Sequence, residues 1–141
     1  EEDSVLVLNG DIITAQAPGA VLRTYRHSMS SNPAHRATIM VVPMVSPYGL
    51  VETNDDDKVV GFREKVELPF WINAGIYVFG RNIAPELPDL GDHEVETFPL
   101  LAEAGQISAL KSRSFWRSVD SFKDLREAED YMGGATGRDV N

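Results

Sequence analysis

The chain has 141 residues, 43% of them hydrophobic and 25% charged, which is the balance of one ordinary globular domain. It contains no cysteine, which excludes disulfides and thiolate metal sites, and no stretch approaches the ~20 apolar residues of a membrane helix. The formal net charge of −9 opposes binding to a nucleic acid. We therefore expect a cytoplasmic protein that binds neither nucleic acid nor a membrane.

The first third of the chain predicts a strand, a helix and a second strand. Residues 5–8 form a short apolar run, typical of a strand that is buried on both faces. Pro18 opens a helical stretch with its apolar residues on one face. Residues 37–42 are again apolar on both faces, as in a central strand covered by helices, and Pro43 together with Ser46-Pro47 is expected to close that strand.

The middle of the chain is rich in strand patterns. Residues 49–53 and 58–64 predict a hairpin, and we interpret the acidic triplet 55–57 as its solvated tip rather than a metal site. A long β-type run follows at 71–79. Residues 96–104 predict a short helix that ends at Gly105, and 107–111 predict a strand.

The last third predicts one more helix and a tail. Ser121 and Asp124 have the spacing of a capping box, which predicts a helix beginning there. Residues 133–141 are Gly-rich at their start and are expected to be a flexible tail. The elements together predict an α/β domain over residues 1–132, with a mixed, mostly parallel sheet flanked by helices.

Two carboxylates stand directly after apolar runs. Asp11 follows the first strand and Gly10, and Asp120 follows the aromatic–apolar residues 115–119. The carboxyl ends of strands are where open α/β sheets place ligands, and two carboxylates can hold one Mg²⁺ whose other positions take substrate phosphates. Alternatively, Asp11 is a turn or capping residue and Asp120 caps the helix that begins near Ser121, a role compatible with metal binding.

Five short motifs occur in a characteristic order: LNGD at 8–11, YG at 48–49, FREK at 62–65, INAGIY at 72–77 and FWRSVD at 115–120. Together they resemble the second half of the sugar-1-phosphate nucleotidyltransferases, which have a Rossmann-like nucleotide-diphospho-sugar transferase fold. These enzymes join a nucleoside triphosphate to a sugar 1-phosphate and release pyrophosphate. The stretch 96–124 is most similar to the glucose-1-phosphate cytidylyltransferase branch. Elsewhere in the family the acidic residue more often stands two positions after the tryptophan, where this chain has Ser118.

The resemblance implies a role for each charged motif residue. Asp11 and Asp120 would bind the catalytic Mg²⁺, Lys65 would neutralise the sugar phosphate during catalysis, and Glu64 would accept hydrogen bonds from sugar hydroxyls. Lysine suits a phosphate because it is a compact point charge. Successive strand side chains point to opposite faces, so Glu64 and Lys65 can reach one ligand only if the strand ends or bulges there. The alternative is an exposed salt bridge of little energetic value.

Three further residues have two interpretations each. The amide of Asn73 needs hydrogen-bond partners, which are either a sugar hydroxyl or a neighbouring backbone group. Gly49 either lets a sugar ring approach the backbone or is a simple turn glycine. Trp116 is interpreted as a core residue rather than a ring that stacks on a ligand.

The family's first half carries a Gly-rich nucleotide-binding loop with Thr-Arg and a lysine, and the printed sequence has no such loop. The resemblance therefore implies a truncated domain that performs no nucleotidyl transfer alone, although an intact relative would use sugar 1-phosphate and a nucleoside triphosphate. An exposed sheet edge favours association, so we expect a homo-oligomer. The alternatives are a non-catalytic sugar-phosphate or nucleotide-sugar binding or regulatory module, and an unrelated α/β binding protein in which Asp11 and Asp120 lie far apart.

Overall fold

The computed structural model describes residues 3–136, which form eight strands, four α-helices and one 3₁₀ helix. In chain order the elements are β1 Ser4–Leu8, β2 Ile12–Thr14, α1 Gly19–Ser31, β3 Ala37–Val45, β4 Leu50–Thr53, β5 Val59–Arg63, β6 Glu67–Gly80, the 3₁₀ helix Arg81–Glu86, α2 His93–Glu96, α3 Phe98–Glu103, β7 Ile107–Lys111, β8 Trp116–Ser118 and α4 Phe122–Thr136. No helix within residues 3–136 is both long enough and apolar enough to cross a bilayer.

The central sheet has four strands in the order β1-β6-β3-β7. Strands β3 and β7 are parallel, whereas β6 runs antiparallel to both β1 and β3. Strands β1, β3 and β7 therefore share one direction, with β6 inserted against it. The prediction of a mixed sheet flanked by helices is confirmed, but the sheet is not mostly parallel, because β6 makes two of its three pairings antiparallel.

The core lies on both faces of this sheet. On one face, Val21 and Tyr25 of α1 pack against a cluster that includes Ile76 and Val78. On the other face, Tyr77 packs with residues of the 3₁₀ helix and α3 in a second cluster. Because neighbouring strand residues point to opposite faces, β6 alone supplies the centre of both clusters.

Two predictions about individual strands are wrong. Strand β1 is not buried on both faces, since Val5 is 56% exposed and Leu8 is 49% exposed. It is an edge strand of the described sheet: β6 pairs with one of its edges, and the other edge has no partner strand in that sheet. Strand β3 does not end at Pro43 but continues to Val45. The proline is tolerated because the pairing of β3 with β7 ends at Val41, so no hydrogen bond to β7 is lost.

The helices near the end of the chain also differ in their bounds. The helix expected at 96–104 is divided into α2 and α3, with Thr97 between them, and Gly105 follows at φ +65°. Helix α4 begins as the capping box predicts, because the Asp124 N–H donates to Ser121 Oγ at 3.3 Å. It continues through 133–136, where we had predicted a tail. The rest of the predicted tail, 137–141, lies outside the described residues.

Candidate functional site

Two small pairings bring the ends of the chain together. Asn9 extends β1 by donating its N–H to the Gly75 carbonyl at 2.8 Å. The chain then turns through Gly10 and Asp11 into β2, which pairs antiparallel with β8 so that Ile12 lies opposite Ser118. Strand β2 was not predicted, although its β-branched residues favour a strand. The pairing places Asp11 beside the end of β8.

Asp11 and Asp120 meet at one hydroxyl group. Ser118 Oγ lies 2.8 Å from Asp120 Oδ2 and 3.3 Å from Asp11 Oδ2. The Val119 N–H also donates to the Asp11 carbonyl at 2.9 Å, which ties the two segments together. The side-chain bond at the start of α4 comes from Ser121, so the carboxylate of Asp120 faces Ser118 rather than capping the helix. Folding thus brings together two carboxylates that are distant in sequence.

The donor set of this carboxylate pair suits a hard divalent cation. It consists of two carboxylate groups and one hydroxyl group. Mg²⁺ is typically held by one or two carboxylates while waters and phosphates complete the octahedron. Across residues 3–136 there is no group of three or more His, Cys, Asp or Glu side chains arranged for a metal. The metal-binding role of the pair stays a prediction.

Glu64 and Lys65 follow the end of β5 at Arg63. Lys65 has φ +51°, a left-handed conformation that is uncommon for residues other than glycine. Strand β5 has therefore ended before Glu64 and Lys65, which is the condition under which both side chains could reach one ligand. Lys65 lines a cleft of about 820 Å³, whereas Glu64 is exposed and is not one of the described residues that line it.

The cleft lies between the end of β3, β8 and the first turns of α4. Trp116 forms part of its wall, packs against the core cluster of α1, and donates its indole N–H to the Ala74 carbonyl at 2.9 Å. On the rim, Arg113 binds the Glu67 carboxylate through both terminal nitrogens, which lowers the pKa of Glu67. Trp116 and Arg117 of β8 line the cleft, and the next residue, Ser118, contacts the carboxylate pair, whereas Asp11 and Asp120 are not among the described residues that line it.

Both N–H donors of the Asn73 amide already have acceptors, and its oxygen accepts one bond. Its Nδ2 donates to the Tyr77 hydroxyl at 2.8 Å and to Glu94 Oε1 at 2.9 Å, and the Gly75 N–H donates to its Oδ1 at 3.0 Å. Burial and, secondly, the hydrogen bond to Glu94 raise the pKa of Tyr77 to about 12. A sugar hydroxyl would therefore have to replace Tyr77 or Glu94 to accept a bond from this amide, whereas it would displace neither by donating to the second lone pair of Oδ1. Sugar binding by Asn73 stays a prediction.

Gly49 is covered by an aromatic ring. A Cβ at this position would lie 2.5 Å from the Phe62 ring, so Phe62 occupies the space next to the glycine backbone. A sugar could approach Gly49 closely only if this ring moved. The substrate-binding role of Gly49 also stays a prediction.

Sequence reasoning missed Ser118 and Glu94. The sequence analysis noted Ser118 only as the position where the motif departs from the pattern of the family it resembles, and that departure was the available signal for its place in the site. Glu94 had no comparable signal, because it lies on α2 and reaches Asn73 across 21 positions of sequence.

The chain is similar to known nucleotidyl transferases in both sequence and fold. A family model described as nucleotidyl transferase matches residues 1–133. The mannose-1-phosphate guanylyltransferase of Mycobacterium tuberculosis is 34% identical over 141 residues, covering 94% of this chain and 36% of that protein. The glucose-1-phosphate adenylyltransferase of Clostridium novyi is 30% identical over 144 residues, covering 91% of this chain and 36% of that protein.

The chain thus spans about a third of the length of these curated relatives. Among solved structures, HddC from Yersinia pseudotuberculosis superposes with a TM-score of 0.59 at 20% identity, covering 94% of this chain and 56% of that one. At this level of identity the superposition shows a shared fold.

Proposed function

Because the chain belongs to the nucleotidyl transferase family, we propose that it forms the sugar-phosphate and metal-binding part of a sugar-1-phosphate nucleotidyltransferase. Such an enzyme converts a nucleoside triphosphate and a sugar 1-phosphate into a nucleoside-diphosphate sugar and pyrophosphate. The observation that carries the proposal is the meeting of Asp11 and Asp120 at the Ser118 hydroxyl, next to a cleft lined by Lys65.

The chain's own residues would act by positioning and by charge. Asp11 and Asp120 would hold Mg²⁺, which when bound offsets negative charge on the reacting phosphates. Lys65 would hold the sugar phosphate so that one of its oxygens faces the α-phosphorus, and pyrophosphate would leave on the opposite side. Holding reactants in line in this way supplies a large share of such catalysis. Glu64, Asn73 and Gly49 are the proposed contacts to the sugar.

Several finer properties belong to the proposal. Mg²⁺ as the cofactor, a homo-oligomeric state and a cytoplasmic location remain predictions. The two relatives differ in both their named sugar and their named base. The placement of Asp120 gives a mild preference for cytidylyl transfer, which a screen of triphosphates against sugar 1-phosphates would test.

The proposal is tested first by metal binding. Mn²⁺ binding to the chain, measured by electron paramagnetic resonance, should weaken at least about tenfold in Asp11→Asn and in Asp120→Asn, because each removes one charged ligand. The control is Asp56→Asn, which alters an exposed carboxylate at the hairpin tip. Equal Mn²⁺ affinity in all four proteins would contradict the metal assignment.

A second measurement separates binding from turnover. Isothermal titration with glucose 1-phosphate should show binding that strengthens with Mg²⁺ and is lost in Lys65→Gln, whereas the chain alone should release no pyrophosphate from any triphosphate. Pyrophosphate release would contradict the predicted inactivity. A non-catalytic binding module, the alternative interpretation, predicts the same binding.

A further inference from the structure

Four cationic side chains line the cleft, and two of them are already neutralised. Arg113 pairs with Glu67, and Arg117 pairs with Asp124 at 3.8 Å and also with Glu127. The other two are Lys65 and Lys123. Among the described residues, no carboxylate lies within ion-pair distance of either lysine. Three carboxylates, those of Glu67, Asp124 and Glu127, also line the cleft, so its four cations and three anions leave a net charge of +1, and Lys65 and Lys123 are the two cations outside an ion pair.

The location of Lys123 is unfavourable for the helix that carries it. It is the second residue of α4, at the positive end of the helix dipole, where acidic residues stabilise a helix and cations do not. Asp124, the next residue, follows this rule and bonds to Ser121. A residue that breaks a local stability rule without a compensating partner is expected where function requires it. Because Asp124 already complements the helix dipole, the group at this helix end that can attract an anion is Lys123.

The ion pairs of Arg117 fix Lys123 in this place. Arg117 lies on β8, and its contacts with Asp124 and Glu127 hold the first turns of α4 against that strand. The next residue of β8, Ser118, contacts both members of the carboxylate pair. The start of α4, which carries Lys123, is thereby held against β8, the strand whose last residue contacts the carboxylate pair.

We propose that Lys123 is a second phosphate-binding residue, which holds the phosphate group of the sugar 1-phosphate together with Lys65. A phosphate monoester carries close to two negative charges, and the ammonium groups of Lys65 and Lys123 are the two cations of this cleft that no carboxylate already occupies. The identification of the ligand as a sugar phosphate rests on the proposed function. The two unpaired lysines of the cleft by themselves indicate a site for an anion.

The test compares Lys123→Gln with Lys58→Gln, an exposed lysine at the hairpin tip that serves as the matched control. Binding of inorganic phosphate and of glucose 1-phosphate is measured by isothermal titration at low ionic strength. Both affinities should fall about tenfold in Lys123→Gln, should stay within about twofold of wild type in Lys58→Gln, and should be largely retained in Lys123→Arg. Unchanged affinities in Lys123→Gln would overturn the proposal.

The two ligands separate this inference from the proposed function. Glucose 1-phosphate binding that depends on Lys65 but not on Lys123 would refute the second lysine and leave the proposed function standing. Phosphate binding that depends on Lys123, with glucose 1-phosphate bound no more tightly than phosphate, would support the anion site and refute the sugar-phosphate function. Failure of the wild type to bind either ligand would overturn both.

Discussion

Tyr77 connects the core to the predicted sugar-binding amide, and its removal should change both stability and its pH dependence. The side chain is fully buried, and its hydroxyl donates to Glu94 Oε1 at 2.7 Å while accepting from Asn73 Nδ2 at 2.8 Å. Desolvation by burial, followed by the bond to Glu94, raises the pKa of Tyr77 from 10.0 to about 12. The folded protein therefore favours the neutral phenol more than the unfolded chain does.

The sign of the pH effect follows from this raised pKa. Above pH 10 the unfolded chain releases the phenolic proton while the folded protein keeps it, so unfolding becomes easier. The stabilisation is complete below pH 10 and is lost as the pH rises from 10 to about 12. At pH 11 the full difference would be about 1.4 kcal/mol. Because Glu94 is exposed and water screens part of the interaction, we expect about 1 kcal/mol.

Tyr77→Phe should lower the free energy of unfolding at pH 8 by about 1–2 kcal/mol, because Asn73 and Glu94 each lose a partner. The further loss between pH 8 and pH 11 should be smaller in the variant than in wild type by about 1 kcal/mol. Urea unfolding at both pH values measures these quantities, and Tyr48→Phe, which alters a side chain that is 79% exposed, is the control. Tyr25 also has a raised pKa but contributes equally to both proteins. An identical pH dependence in wild type and Tyr77→Phe would refute the reasoning.

Other predictions concern the backbone, the core and the sheet edge. Gly75→Ala should cost about 1–3 kcal/mol in urea unfolding, because φ is +69° and the new Cβ would meet Asn9 at 2.8 Å; Gly10→Ala, with open space around it, should be nearly neutral. Trp116→Phe should cost about 1–2 kcal/mol by the same assay, since the Ala74 carbonyl loses its donor. If the chain self-associates through the exposed edge strand β1, Val5→Lys should lower the mass measured by light scattering. An unchanged oligomer mass would show that β1 is not the interface.

The elements that sequence reasoning predicted well depend on neighbours along the chain. The apolar face of α1 repeats every three or four residues, and the capping box of α4 needs only Ser121 and Asp124. The hairpin of β4 and β5 surrounds a turn in which Asn54 Oδ1 accepts from two nearby N–H groups. In each case the residues that specify the structure lie within one turn or one hairpin of each other.

The candidate site was predictable only in part, for the same reason. The motifs pointed to Asp11, Asp120 and Lys65, but the hydroxyl shared by the two carboxylates and the bond between Asn73 and Glu94 arise between separate elements. The exposure of β1 likewise follows from its place in the sheet order, which its apolar residues do not encode. The spacing of apolar residues and the capping motifs involve residues only a few positions apart, so they can be recognised in the sequence. The partners of a side chain across the sheet depend on which strands pair and in what register, and that depends on packing of the whole domain.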